Sequence, residues 1–226
     1  MYNEIISEKL KALNVSDYGF AYMGDTDGYK YPSLPYAISI VVKLSDFVVD
    51  EIDDAPTFSY FHHYRTVNSF IDSVMLQTGL LIERQGYKFL PIAASQSVRG
   101  GDDRYTGVFQ HKTAARMAGL GSIGKSGLFL SDKFGPRVRL GTILTDMPFD
   151  TATPHDNDVC IDCDACVRAC PAMAITGNAW HEGATREEIV SAQACSEYMK
   201  AKFQHIGRGV VCGICMKVCP VNGIKK

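Results

Sequence analysis

Apolar positions over the first two thirds of the chain switch between helical and extended spacing. Ile5, Ile6, Leu10 and Leu13 recur as on one face of a helix, which predicts a helix over 5–13. Residues 18–23 read as a strand. Residues 37–44 (AISIVVKL) form a β-branched apolar run ending in a polar loop, the pattern of a buried strand. A long helix is predicted over 60–84, closed by Gly86, followed by a strand over 88–94. A shorter helix over 112–117 ends at Gly119, and strands over 128–130 and 138–146 complete the pattern. The alternation predicts an α+β or α/β layered domain. No repeat, coiled coil or low-complexity tract interrupts it.

Composition adds a boundary. Residues 1–159 hold no cysteine, and residues 160–226 hold eight. The polar, Pro-containing stretch 150–158 separates them, so two domains are expected, 1–154 and 155–226. With 226 residues the chain can bury a core without help from metal. A net charge of −2 offers no strong field for nucleic acid or an anionic membrane. The N-terminus has no basic start followed by an apolar run and no twin arginine, and the apolar stretches are strand-sized. The expected setting is the cytoplasm, with no membrane association, where thiols stay reduced and more often ligate metal.

The cysteines carry the chemistry. The first run is Cys160-x2-Cys163-x2-Cys166-x3-Cys170-Pro171, the spacing of bacterial two-cluster ferredoxins, in which the fourth cysteine ligates the other cluster. Three thiolates on one tight loop reach three irons of a cubane. The fourth points away at a turn fixed by proline. The second set is Cys195 with Cys212-x2-Cys215-x3-Cys219-Pro220. Applying the swap, cluster 1 takes Cys160, Cys163, Cys166 and Cys219, and cluster 2 takes Cys170, Cys195, Cys212 and Cys215. Two 4Fe–4S clusters then use every thiol. Two zinc sites of four thiolates each would also use eight cysteines but need neither the x3-Cys-Pro arm nor the swap, and a disulfide framework is not expected where the N-terminus shows no secretory signal.

Residues 119–126 (GLGSIGKS) match the P-loop expression and contain G-x-G-x-x-G. Both motifs need a strand before and a helix after. Here a helix comes first and a strand-like run follows, so a glycine cap and tight turn is the expected structure. Clustered glycines also let a flat ligand approach the backbone.

These motifs together resemble the epoxyqueuosine reductase and reductive dehalogenase superfamily. The resemblance is carried by AGLGSIGK (118–125), FGPRVRLGTILTDMPF (134–149), CPAMAI and CGICMKVCPVN, and it runs from about residue 60 to 222. It implies a nitroreductase-like α/β domain that binds cobalamin, followed by a two-cluster ferredoxin-like domain that feeds it electrons. It also implies that Gly119, Gly121, Ser122, Gly124, Lys125, Phe129, Leu140 and Leu144 contact the cofactor; by apolar character alone, Phe129, Leu140 and Leu144 are equally well ordinary core. In place of the family's catalytic aspartate stands Tyr105, in Gly101-Asp102-Asp103-Arg104-Tyr105-Thr106. A tyrosine acid is what the dehalogenases use, with Arg104 or Lys112 able to stabilise its anion and Asp102 or Asp103 as alternative acids. A C-terminal helical-repeat extension of the kind that grips tRNA is missing, so tRNA is not the expected substrate. His62 and His63, adjacent on a helix, point about 100° apart and are not expected to share one ion.

The expected activity is reduction of a small substrate through the clusters and cobalamin, with electrons from a donor such as ferredoxin or flavodoxin. A non-catalytic electron carrier with a docking domain and a flavin-dependent reductase are the alternatives.

Overall fold

A computed structural model describes residues 1–96, 98, 105–154, 159–161, 163–207 and 211–221. By spatial clustering the chain forms two compact units. Unit 1 comprises 1–43, 67–120 and 139–156, and unit 2 comprises 44–66, 121–138 and 157–226. Both are mixed α/β.

Unit 1 begins with α1 (Tyr2–Ala12), whose Ile6 and Leu10, one turn apart, are buried. Glu4 in its first turn and Lys9 and Lys11 in its last complement the helix dipole. β1 (Asp17–Tyr22) pairs antiparallel with β2 (Tyr36–Lys43), from Asp17 opposite Val41 to Tyr22 opposite Tyr36. β2 is buried from Ala37 to Val42 with no alternation, because both its faces are covered, as the AISIVVKL run predicts. α3 (Phe58–Arg84) turns Val67, Ile71, Val74, Met75, Thr78 and Ile82 inward, a stripe at 3.6 spacing. Gly86 (φ 87°) follows it in the left-handed region. β3 (Phe89–Ile92) pairs antiparallel with β6 (Val138–Thr145), and the sheet runs β1-β2-β6-β3. Gly141 of β6 lies so close under Ile71 and Met75 that a side chain there would collide with α3.

β3 is shorter than the strand expected over 88–94, for a definable reason. The backbone of Ala93 and Ala94 is bonded to side chains. Ala94 N–H donates to Asp72 Oδ1 (2.9 Å), Ala94 O accepts from Arg139 (3.1 Å), and Ala93 O faces His111 Nε2 (3.1 Å). Side chains have replaced the ladder. His111 opens α4 (His111–Met117), which packs on β1 and β2.

In unit 2, α2 (Asp46–Asp50) was not anticipated. β4 (Gly121–Ile123) pairs antiparallel with β5 (Phe129–Ser131). The remaining helices are short: α5 (Ala165–Ala169), α6 (Arg186–Ile189), α7 (Ala192–Phe203) and α8 (Ile214–Lys217). α5 and α8 pack on each other. Among the described residues no helix is long and apolar enough to cross a membrane.

Candidate metal centre

Residues 119–126 take the non-nucleotide form. Gly119 (φ 68°) bonds back to Arg116 O and ends α4, and residues 121–123 then form β4. A tight turn follows, in which Gly124 N–H bonds Leu128 O and Gly127 N–H bonds Gly124 O. No helix follows to present its N-terminus to a phosphate, as the reversed order requires. Gly121 (φ 150°) is pressed onto Leu130 O, a position no side chain could share.

The turn delivers Gly124 and Lys125 to the thiols. A Cβ added at Gly124 would sit 3.6 Å from Cys160 Sγ, ordinary contact distance. A pocket within unit 2 is lined by Cys160, Cys163, Cys166 and Cys219, together with Gly124, Lys125, Asp164 and Pro220. Cys219 comes from the second motif and the other three thiols from the first.

The two motifs are built alike. Asp164 (φ 50°), between Cys163 and Cys166, is a left-handed residue that starts α5. Gly213 (φ 87°), between Cys212 and Cys215, does the same for α8. Cys163 and Cys166, on either side of the Asp164 kink, both line the pocket. Cys170 ends α5 in an extended conformation (ψ 108°), as a residue before proline prefers.

None of the eight cysteines is in a disulfide, and all are part-buried. Burial raises the proton affinity of Cys166, Cys195, Cys212, Cys215 and Cys219, and neighbouring thiols raise it further. Cys219 is affected by Cys160, Cys166 and Cys163, and Cys166 by Cys160 and Cys163. Cys195 is pushed up to about 11, by burial first and then by Cys212 and Cys170. Cys215 is raised by burial and then by Cys212, Cys195, Cys170 and Cys166. Cys212 is raised by burial and by Cys170. Cys166 and Cys215 join the two neighbourhoods. Such sites favour thiolates only when positive charge sits among them. The Ala174 N–H donates to Cys170 Sγ (3.4 Å), and backbone N–H groups of Val167, Ile214 and Val221 serve Cys166, Cys212 and Cys219.

Thiols spread round a pocket fit a cubane, in which each sulfur meets its own iron. A zinc ion needs four sulfurs converging at about 2.3 Å from one point. Among the described residues no three His, Cys, Asp or Glu groups converge on a single ion.

None of the other described candidate residues is among those lining this pocket. Ser122 Oγ accepts from Val159 N–H (3.1 Å), fixing the chain just before Cys160. Phe129, Leu140 and Leu144 are buried core. Tyr105 is half-buried beside a turn where Val98 N–H bonds Thr106 O. Asp102, Asp103 and Arg104 lie outside the described residues. His63 Nε2 accepts from Ser45 N–H (3.0 Å) at the start of α2, while His62 is exposed. Burial, then His62, lowers the proton affinity of His63, which suits an acceptor.

Sequence reasoning missed three polar contacts around the site. Lys125 Nζ pairs with Asp164 Oδ1 at 2.9 Å. Lys217, in α8, donates to the carbonyls of Asp50 (2.6 Å) and Ile52 (3.1 Å). Arg137 pairs with Asp46 (3.2 Å) and Asp50 (2.7 Å). The left-handed positions were the available signal for the first, but spacing alone does not announce a non-glycine kink.

Residues 159–222 match the family of 4Fe-4S double cluster binding domains. An epoxyqueuosine reductase of Staphylococcus aureus is 34% identical over 119 residues, 52% of this chain and 30% of that protein. A tetrachloroethene reductive dehalogenase of Sulfurospirillum multivorans is 35% identical over 119 residues, 50% of this chain and 24% of that protein. The chain thus spans about a third or less of the length of these two relatives. In fold it resembles a solved reductive dehalogenase described in terms of B12-dependent dehalogenation (TM-score 0.74, 20% identity, 97% of this chain and 31% of that one). It also resembles an epoxyqueuosine reductase solved with an epoxyqueuosine-modified tRNA-Tyr stem loop (TM-score 0.59, 17% identity, 98% and 65%). The chain is a relative of the epoxyqueuosine reductases and reductive dehalogenases, and it carries a 4Fe–4S double cluster binding domain.

Proposed function

We propose that this protein is an iron–sulfur reductase that draws electrons through two 4Fe–4S clusters for the reduction of a substrate. Cys160, Cys163, Cys166 and Cys219 hold one cluster. Cys170, Cys195, Cys212 and Cys215 hold the other. The observation that supports this most is the pocket walled by the first four thiols, which draws on both motifs. The proposed arrangement is a nitroreductase-like α/β domain over 1–154 and a ferredoxin-like cluster domain over 155–226, in a reducing cytoplasm.

Cobalamin is the proposed electron acceptor, on the likeness in sequence and fold to the dehalogenases. When bound, it supplies low-valent cobalt to the substrate. The residues offered to it are Gly119, Gly121, Ser122, Gly124, Lys125, Phe129, Leu140 and Leu144. Ser122 and Lys125 already have partners, and the three apolar side chains are packed, so backbone is the part of these residues left for a ligand. Tyr105 is the proposed proton donor, and a Tyr105→Phe protein that turns over like the parent would remove it from that role. The proposed partners are a small-molecule substrate and a donor such as ferredoxin or flavodoxin. The relative solved with a tRNA stem loop weighs against the expectation of no tRNA partner, so such a stem loop belongs among the substrates tried.

The test is elemental. Protein purified without oxygen is expected to hold about eight irons per chain, and to take up cobalamin stoichiometrically. Colourless, iron-free protein, or zinc in place of iron, would end the reading. Iron with no cobalamin uptake would leave an electron carrier, and bound flavin a flavin reductase.

A further inference from the structure

The two thiol sites share one backbone plan and differ in charge. At the pocket of Cys160, Cys163, Cys166 and Cys219, the kink residue is Asp164, and its carboxylate holds the Lys125 ammonium at 2.9 Å. Lys125 keeps only 14% of its side-chain surface and lines the pocket with the four sulfurs, whereas Asp164 is 45% exposed. A Cβ added at Gly124, the residue before Lys125, would meet Cys160 Sγ at 3.6 Å.

Among the described residues, the other site shows no such pair. Its kink residue is Gly213, where an added Cβ would come within 2.7 Å of Ile52 Cδ1 and 2.8 Å of the Tyr60 ring. A carboxylate has no room there. The nearby cation, Lys217, has its Nζ drawn off onto the carbonyls of Asp50 and Ile52. Its counterpart on α5, Arg168, is exposed to solvent.

We infer that the Lys125–Asp164 pair tunes the redox potential of the cluster held by Cys160, Cys163, Cys166 and Cys219, making it inequivalent to its neighbour. This rests on the cluster assignment proposed above. Reduction adds one electron, and so one negative charge, to a cluster. A poorly solvated ammonium beside the sulfurs favours the reduced state and so raises the potential. The more exposed carboxylate offsets only part of that effect, because water screens it better. Lys125 and Asp164 thus act as tuning residues with opposite signs, and neither ligates iron.

The experiment is a potentiometric titration of the anaerobic holoprotein, followed by electron paramagnetic resonance, with iron counted in every sample. Lys125→Met is expected to lower the potential of one cluster, Asp164→Asn to raise it, and the double variant to return it toward the parent. The second cluster's potential stays put throughout, and Lys125→Arg restores the parent value. Unmoved potentials, shifts of the same sign in both single variants, or equal shifts in both clusters overturn the inference. Loss of iron from Lys125→Met also overturns it, in favour of a purely structural pair. A parent protein short of about eight irons strikes instead at the cluster assignment beneath.

Discussion

Cys219→Ser is expected to empty the cluster site of Cys160, Cys163 and Cys166, which lie in a different motif. The variant should keep about four of about eight irons per chain. Paired variants make the result decisive. If Cys219 belongs with Cys160, then Cys160→Ser/Cys219→Ser disables a single site and still keeps about four irons, whereas Cys170→Ser/Cys219→Ser disables both and keeps almost none. If each motif instead serves its own cluster, the double variant of Cys160 and Cys219 loses everything. The structure favours the first outcome on two grounds. Cys219 shares a pocket with Cys160, Cys163 and Cys166. The thiols that raise the proton affinity of Cys219 are those same three, while Cys195 responds to Cys212 and Cys170. A thiolate left without its iron in these part-buried surroundings is costly, so a three-thiol remnant is not expected to retain a stable cubane.

How far local pattern reaches is clear from particular elements. β2 was legible because a β-branched run that never alternates can satisfy itself only in the middle of a layer. α3 was legible because its apolar stripe is long enough to establish a period, although it starts at Phe58, two residues before the expected 60. Residues 119–126 were legible through context, since a helix ahead and a strand behind exclude a phosphate loop. α2 was not, because five residues cannot display a period, and its contacts with Arg137 come from far along the chain. Interleaving of the two units left no mark either. Two of the five joins fall inside elements, between Thr66 and Val67 in α3 and between Val138 and Arg139 in β6, where composition has no reason to change. The cysteine spacing announced a metal centre, but the Lys125–Asp164 pair depends on Asp164 adopting a left-handed turn, which the sequence does not record.

His111 was also silent in the sequence, and it makes unit 1 acid-sensitive. Its ring is part-buried, held between Thr142 and the carbonyl of Ala93. Ala93 O can only accept, so Nε2 carries the proton and Nδ1 accepts from the Thr142 hydroxyl at 2.8 Å. Burial lowers the proton affinity of the ring to a pKa of about 4, against 6.5 ordinarily. The Ala93 bond and Asp72 pull weakly the other way, and Arg139 adds to the lowering. The unfolded chain therefore binds a proton that the folded chain refuses between pH 6.5 and about 4. Stability from this group is complete above that window, falls as pH drops through it, and is lost below it. The whole effect is about 3 kcal/mol. His111→Gln can still donate to Ala93 but does not titrate. The check is hydrogen exchange of the β6 and α4 amides between about pH 7 and pH 4, corrected for intrinsic rates. Protection in the parent should decline with acid by about two orders of magnitude more than in the variant. Parallel declines would mean that the ring is already solvated or charged in the folded protein, and that Thr142 and Ala93 do not hold it as a neutral acceptor and donor.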